Sequence, residues 1–170
     1  MKGAMADYYT NFSFVLQLKE PAQKEYALDI ANIASAHRCE DQPLPADFPP
    51  ALVDGLEDWF FEVEACDEGV WFHSESGGVD AVGALVQHLL LKFQIPGQIA
   101  FEWSHDCSKP RIDAYGGGAA VIRAGEIKMM TTGDWLQEQT RHVFNPDTRL
   151  CVKCGIQADD AAVENEPCPN

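Results

Sequence analysis

The chain has 170 residues, 46% of them hydrophobic, enough for one globular core with a small appendage. Its formal net charge of -15 argues against binding nucleic acid or an anionic membrane directly, because fields of one sign repel. No apolar run approaches the roughly 20 residues that span a bilayer.

Residues 1–9 are read as an N-terminal extension, with MKGAM as an expression remnant and a natural start at Met5. No basic region is followed by an apolar stretch, so no secretory signal is expected and the setting is cytoplasmic. Asn11 to Leu18 alternates: Phe12, Phe14, Leu16 and Leu18 point one way, as in a half-buried strand. Pro21 suits the first position of a helix. Tyr26, Ile30, Ile33 and His37 then follow at helical spacing to about Arg38. Residues 42–58 are rich in proline and acid and read as a loop with a helical turn near 51–56.

Trp59 to Cys66 and Val70 to Glu75 predict a hairpin joined by Asp67-Glu68-Gly69. After Ser76-Gly77-Gly78 comes a helix whose buried face is Val82, Leu85, Val86, Leu89, Leu90 and Phe93, ended by Pro96-Gly97. Gln98 to Ser104 is a strand and 107–118 an irregular segment. Ala119 to Arg123 and Glu126 to Thr131 form a second hairpin, and Asp134 to His142 a short helix. The order β-α-β-β-α-β predicts an α+β fold with a ferredoxin-like core, extended by the hairpin and helix. The expected division is a domain over 10–141 and a zinc-bound tail over 142–170.

Six cysteines without a signal peptide fit reduced thiols better than a disulfide framework. Cys39, Cys66 and Cys107 are scattered and read as small packed side chains. The tail differs. Cys151-Val-Lys-Cys154-Gly presents two thiolates from one turn, Cys168 offers a third, and His142 is the nearest imidazole. Three thiolates and an imidazole complete a tetrahedral shell and suit zinc, and a filled shell makes the site structural. A redox C-x-x-C pair is the weaker alternative, since the motif does not open a helix after a strand.

Between Cys39 and Leu91 there is no Lys or Arg. The stretch carries Glu40, Asp41, Asp47, Asp54, Glu57, Asp58, Glu62, Glu64, Asp67, Glu68, Glu75 and Asp80. It is either a solvated face or a surface that attracts a basic protein, in one version by imitating a polyanion.

On the open side of the predicted sheet, alternation places Glu62, Glu64, His73 and Glu102 outward, where they could bind a metal or share protons. His105 with Cys107 suggests a nucleophile and its base. Lys109 and Arg111, with Gly116, Gly117 and Gly118, could contact an anion through side chains and backbone amides; the plainer reading is a tight crossing loop.

Phe101-Glu102-Trp103, Ser108-Lys109 and Asp113-Ala114-Tyr115 together resemble the strand-and-loop signature of ferredoxin-like accessory proteins of plasmids and phages. In those the loop reads Gly-Thr-Lys-Trp followed by an Asp-Ala pair; here Cys107-Ser108-Lys109-Pro110 lacks the glycine and the tryptophan. The resemblance implies the fold and a mobile-element setting, and no activity.

These readings converge on a non-enzymatic accessory protein with a structural zinc site, acting on a basic protein surface. The alternatives are a small-ligand binder or a metal-dependent enzyme on the open sheet face.

Overall fold

Proline starts the first helix, as expected. The computed structural model, which describes residues 7–109, 114–158 and 167–168, places α1 at Pro21–Glu40. Pro21 fills its first turn, Glu20 and Gln23 form a reciprocal capping box, and Asp41 ends it in the left-handed region. Its buried face is Ala27, Ile30, Ala31 and Ala34, not the Tyr26–Ile33–His37 line. Alanines let the helix axis approach the sheet closely. Tyr26 sits at the margin, hydrogen-bonded to His88 at 2.9 Å and edge-on to Phe93.

The strands are β1 (Tyr8–Gln17), β2 (Glu62–Cys66), β3 (Gly69–Ser74), β4 (Ile99–Cys107), β5 (Gly116–Arg123) and β6 (Glu126–Thr131). They form one sheet in the order β2-β3-β1-β4-β5-β6. The pairs β1–β3, β1–β4, β2–β3 and β4–β5 are all antiparallel. A 3-10 helix (Pro50–Asp58) follows the proline-rich loop, α2 spans Val79–Lys92, and α3 spans Thr132–Thr140. Among the described residues, no helix is long and apolar enough to cross a membrane.

Alternation along the strands explains the core. Phe12, Leu16, Val70, Phe72, Phe101, Trp103, Ala120 and Ile122 are buried on one face of the sheet. Val82, Leu85, Val86, Leu89 and Leu90 of α2 join the same cluster, as does Leu52 of the 3-10 helix. Phe14 links the strands, stacked on Phe72 at 5.1 Å and on Phe101 at 4.5 Å between ring centroids.

Several boundaries differ from the sequence reading, and at two glycine sites the reason is physical. Gly69 is not a turn residue. It pairs with Cys66 and Gln17, and a Cβ there would collide with the Leu16 carbonyl of β1. The turn is therefore only Asp67-Glu68. The Gly116–Gly118 triplet is not a loop. It pairs with His105, Ser104 and Trp103 in β5, and at Gly117 (φ 153°) a Cβ would strike the Trp103 carbonyl. Finally, α3 starts two residues earlier than expected and stops before His142.

The described contacts divide the chain into two compact units, Met1–Met129 and Met130–Asn170. The first holds the aromatic core. The second holds α3 and the Cys/His segment.

Candidate metal centre and the acidic face

In the second unit the chain folds around sulfur. Thr131 caps α3: its hydroxyl accepts the Asp134 amide, while the Asp134 carboxylate accepts the Thr131 amide and hydroxyl. Those hydrogen bonds hold the Asp134 carboxyl below its usual range. At the far end, Lys153 Nζ donates to the Gln139 and Arg141 carbonyls, and the Cys168 amide donates to the Thr140 carbonyl at 2.6 Å. Carbonyls that a helix leaves unpaired at its C-terminus thus anchor the chain beside both Cys154 and Cys168.

The segment 143–158 is a small hairpin. Isolated bridges pair Phe144 with Cys151 and Leu150 with Gln157, and the Cys151 amide donates to the Ile156 carbonyl. Asn145 Oδ1 accepts the Asp147 and Thr148 amides and shapes the turn. Gly155, at φ 77°, bends the backbone back so that its amide reaches the Cys151 carbonyl at 2.8 Å.

This geometry brings His142, Cys151, Cys154 and Cys168 together, with one donor atom of each within 4.8 Å of all the others. Cys151 Sγ and Cys168 Sγ are 3.9 Å apart, and Cys154 Sγ is 3.3 Å from His142 Nδ1. A tetrahedral zinc with Zn–S near 2.3 Å sets sulfur–sulfur edges of about 3.8 Å and sulfur–nitrogen edges of about 3.5 Å. A disulfide needs about 2.05 Å, so the sulfurs are spaced for an ion and not for each other. The cysteines are free.

Electrostatics agree with the spacing. Burial pushes the Cys151 thiol up. The amides of Cys154 and Lys153, then His142 and the Val143 amide, outweigh it and bring the thiol down to about 5. A thiolate is therefore present at neutral pH. At Cys154 the Ile156 amide lowers the thiol, but lost hydration and the Cys168 and Cys151 sulfurs raise it on balance. Crowded sulfurs of this kind are what a dication relieves. The donor set fits zinc, and among the described residues of this unit only Cys151 and Cys168 are buried.

In the first unit, all twelve acidic residues from Glu40 to Asp80 are exposed. They crowd one another enough to matter at Asp58. Its carboxyl is raised by partial burial and by Asp80, with the Arg38 guanidinium opposing. A raised folded-state value means the ionised form costs stability, absent at low pH and present once pH passes the folded value. Asp58→Asn should therefore raise Tm at pH 7 by about 1–2 °C. The gain should vanish below about pH 4, which a thermal melt series in pH will check.

The open face of the sheet is uncovered at Ser13, Glu62, Glu64, Glu102 and Ser104, which are exposed. Glu62 and Glu64 meet His73 across β2–β3, at 3.9 and 3.6 Å from its Nε2. Glu102 does not join them: β1 lies between β3 and β4, so it stands two strands from His73 and three from Glu62 and Glu64. Arg123 and Lys128 turn to Glu126 instead of this face.

His105 and Cys107 both lie on β4, and no hydrogen bond between them is found among the described residues. His105 is hydrogen-bonded to Thr10 and Trp103. The glycines of the anion-contact reading, Gly116, Gly117 and Gly118, lie in β5 opposite His105, Ser104 and Trp103 instead of in a loop. Lys109 is exposed; Arg111 and Asp113 lie outside the described residues, as do Asp159, Asp160, Glu164 and Glu166.

Sequence reasoning missed the Trp71–Ser13 hydrogen bond of 2.8 Å, which ties β3 to β1 beside His73. Loop length was the available signal: a two-residue turn makes Glu62 face His73 by counting.

No protein-family profile matches the chain, and comparison with curated proteins and with solved structures finds no match.

Proposed function

We propose that this is a non-enzymatic accessory protein that binds a basic protein surface through its acidic stretch and carries a structural zinc ion in its C-terminal unit. The observation that carries the reading is the exposure of twelve carboxylates in a segment without one Lys or Arg. Such a field raises the local concentration of cationic groups and steers their approach. A version in which the surface imitates a nucleic acid, and so blocks the groove of a nucleic-acid-processing machine, follows from the same charge.

The fold reading is ferredoxin-like over the first six elements. What supports it is the strand order β2-β3-β1-β4 with antiparallel neighbours and α1 and α2 as the two crossovers. A cytoplasmic, mobile-element setting accords with reduced thiols and with the resemblance over residues 101–115.

The test is capture from the native host followed by a salt titration. The captured protein should be basic, with affinity falling at least ~10-fold between about 50 and 200 mM salt. Neutralising Asp54, Glu57 and Asp58 together to amides should weaken it further. Flat salt dependence, or binding indifferent to those substitutions, sinks the proposal.

A further inference from the structure

The hairpin β2–β3 carries a second cluster of metal-ligating atoms, independent of the cysteines. Glu62 lies directly opposite His73, and Glu64 lies opposite Trp71, one pleat away on the same face. Their donor atoms all lie within 4.8 Å of one another. His73 Nε2 points between the two carboxylates, 3.9 Å from Glu62 Oε2 and 3.6 Å from Glu64 Oε1. Those spacings are too long for hydrogen bonds.

A second observation concerns the imidazole itself. Nε2 is screened from solvent and has no hydrogen-bond partner. Its ring is not free to turn away, because it stacks on Trp71 with centroids 3.9 Å apart. The Trp71 indole N–H is in turn anchored on Ser13 Oγ at 2.8 Å. With the proton on Nδ1 the imidazole aims a lone pair at two negative oxygens, which repel it; with the proton on Nε2 the oxygens lie beyond hydrogen-bond reach. A positive centre between the three atoms reverses the sign of every contact.

We propose that Glu62, Glu64 and His73 form a binding site for a divalent transition-metal ion. One imidazole and two carboxylates are a borderline donor set, suited to zinc, manganese, iron or cobalt rather than to the soft ions that thiolates select. The distances need close by only a few tenths of an ångström to reach tetrahedral edges of about 3.4 Å. The glutamates, exposed on an edge strand, can supply that movement. Three protein ligands leave at least one coordination position open to water or to a donor from another molecule. This distinguishes the site from the filled Cys/His centre, and the acidic field around it concentrates cations.

The test uses the full chain already loaded with one zinc, titrated with Co(II). A second equivalent should bind without a new thiolate-to-cobalt charge-transfer band, and should quench the part of the fluorescence that Trp71→Phe removes. His73→Gln and the pair Glu62→Gln/Glu64→Gln should each weaken that second equivalent by ~10-fold or more, while the first zinc stays bound. The glutamates are exposed, so the double variant decides the matter even if His73→Gln folds poorly. A wild-type chain that takes up only one ion overturns the proposal. So does a second ion that binds the double variant as tightly as the wild type.

Discussion

Cys151→Ser, or treatment with a strong chelator, is expected to unfold the C-terminal unit and leave residues 7–129 folded. The reason is what that unit lacks. Trp135, Leu136, Val143 and Val152 are exposed, and the only buried side chains described there are two cysteines that converge on one point. A segment of this size cannot offset its chain entropy with so little apolar burial. A structural zinc contributes about 10–16 kcal/mol in comparably small peptides, which makes metal binding and folding one process. The wild-type chain should hold one tightly bound zinc, measured by mass spectrometry of the metal, and Cys151→Ser should lose it on dialysis. Trypsin should then cut faster at Arg141, Arg149 and Lys153 than in the zinc-loaded protein. Cys39→Ser, Cys66→Ser and Cys107→Ser should keep the zinc, since none lies in the cluster. Retention of stoichiometric zinc by Cys151→Ser would show that the ligand set is wrong. Collapse of the near-ultraviolet signal of the aromatic core on chelation would show that the units do not fold separately.

Phe72→Ala should be the most damaging single change in the first unit, costing about 3–5 kcal/mol. Phe72 is fully buried in β3, stacked nearly parallel to Phe14 and 6.5 Å from Phe61 between ring centroids. Removing the ring leaves a void lined by other aromatics that cannot slide in, because β1 and β3 hold their backbones by pairing. The expected fall in Tm is roughly 10–20 °C, with zinc content unchanged. Trp71→Ala, one residue away on the open face, should cost less than half as much, since its ring is already partly in water. Equal losses for the two would contradict the assignment of faces in β3.

Several features were legible in the residues themselves. The four metal-binding candidates were found from Cys151-x-x-Cys154-Gly155 and its neighbours, because ligand chemistry is a property of residue type and short spacing. The faces of β1 and α2 followed from alternation and helical periodicity, which local geometry imposes wherever the chain goes. The absence of any positive charge from Cys39 to Leu91 needed no structure either.

Other features required the fold. Gly69 and Gly116–Gly118 looked like turn residues, since glycine is the usual choice where a chain reverses. They are strand residues, and at Gly69 and Gly117 carbonyls of β1 and β4 come too close for a Cβ. The error at Gly69 had a consequence out of proportion to one residue. A three-residue turn would pair Cys66 with Val70 and set Glu62 against Ser74, whereas the two-residue turn sets it against His73. Side chains alternate with a period of two, so register decides which atoms share a face, and register depends on contacts from strands far away in sequence. The same reason separates Glu102 from Glu62 and Glu64. Alternation could put all three on one surface, but only the strand order, with β1 between β3 and β4, could say how far apart they stand.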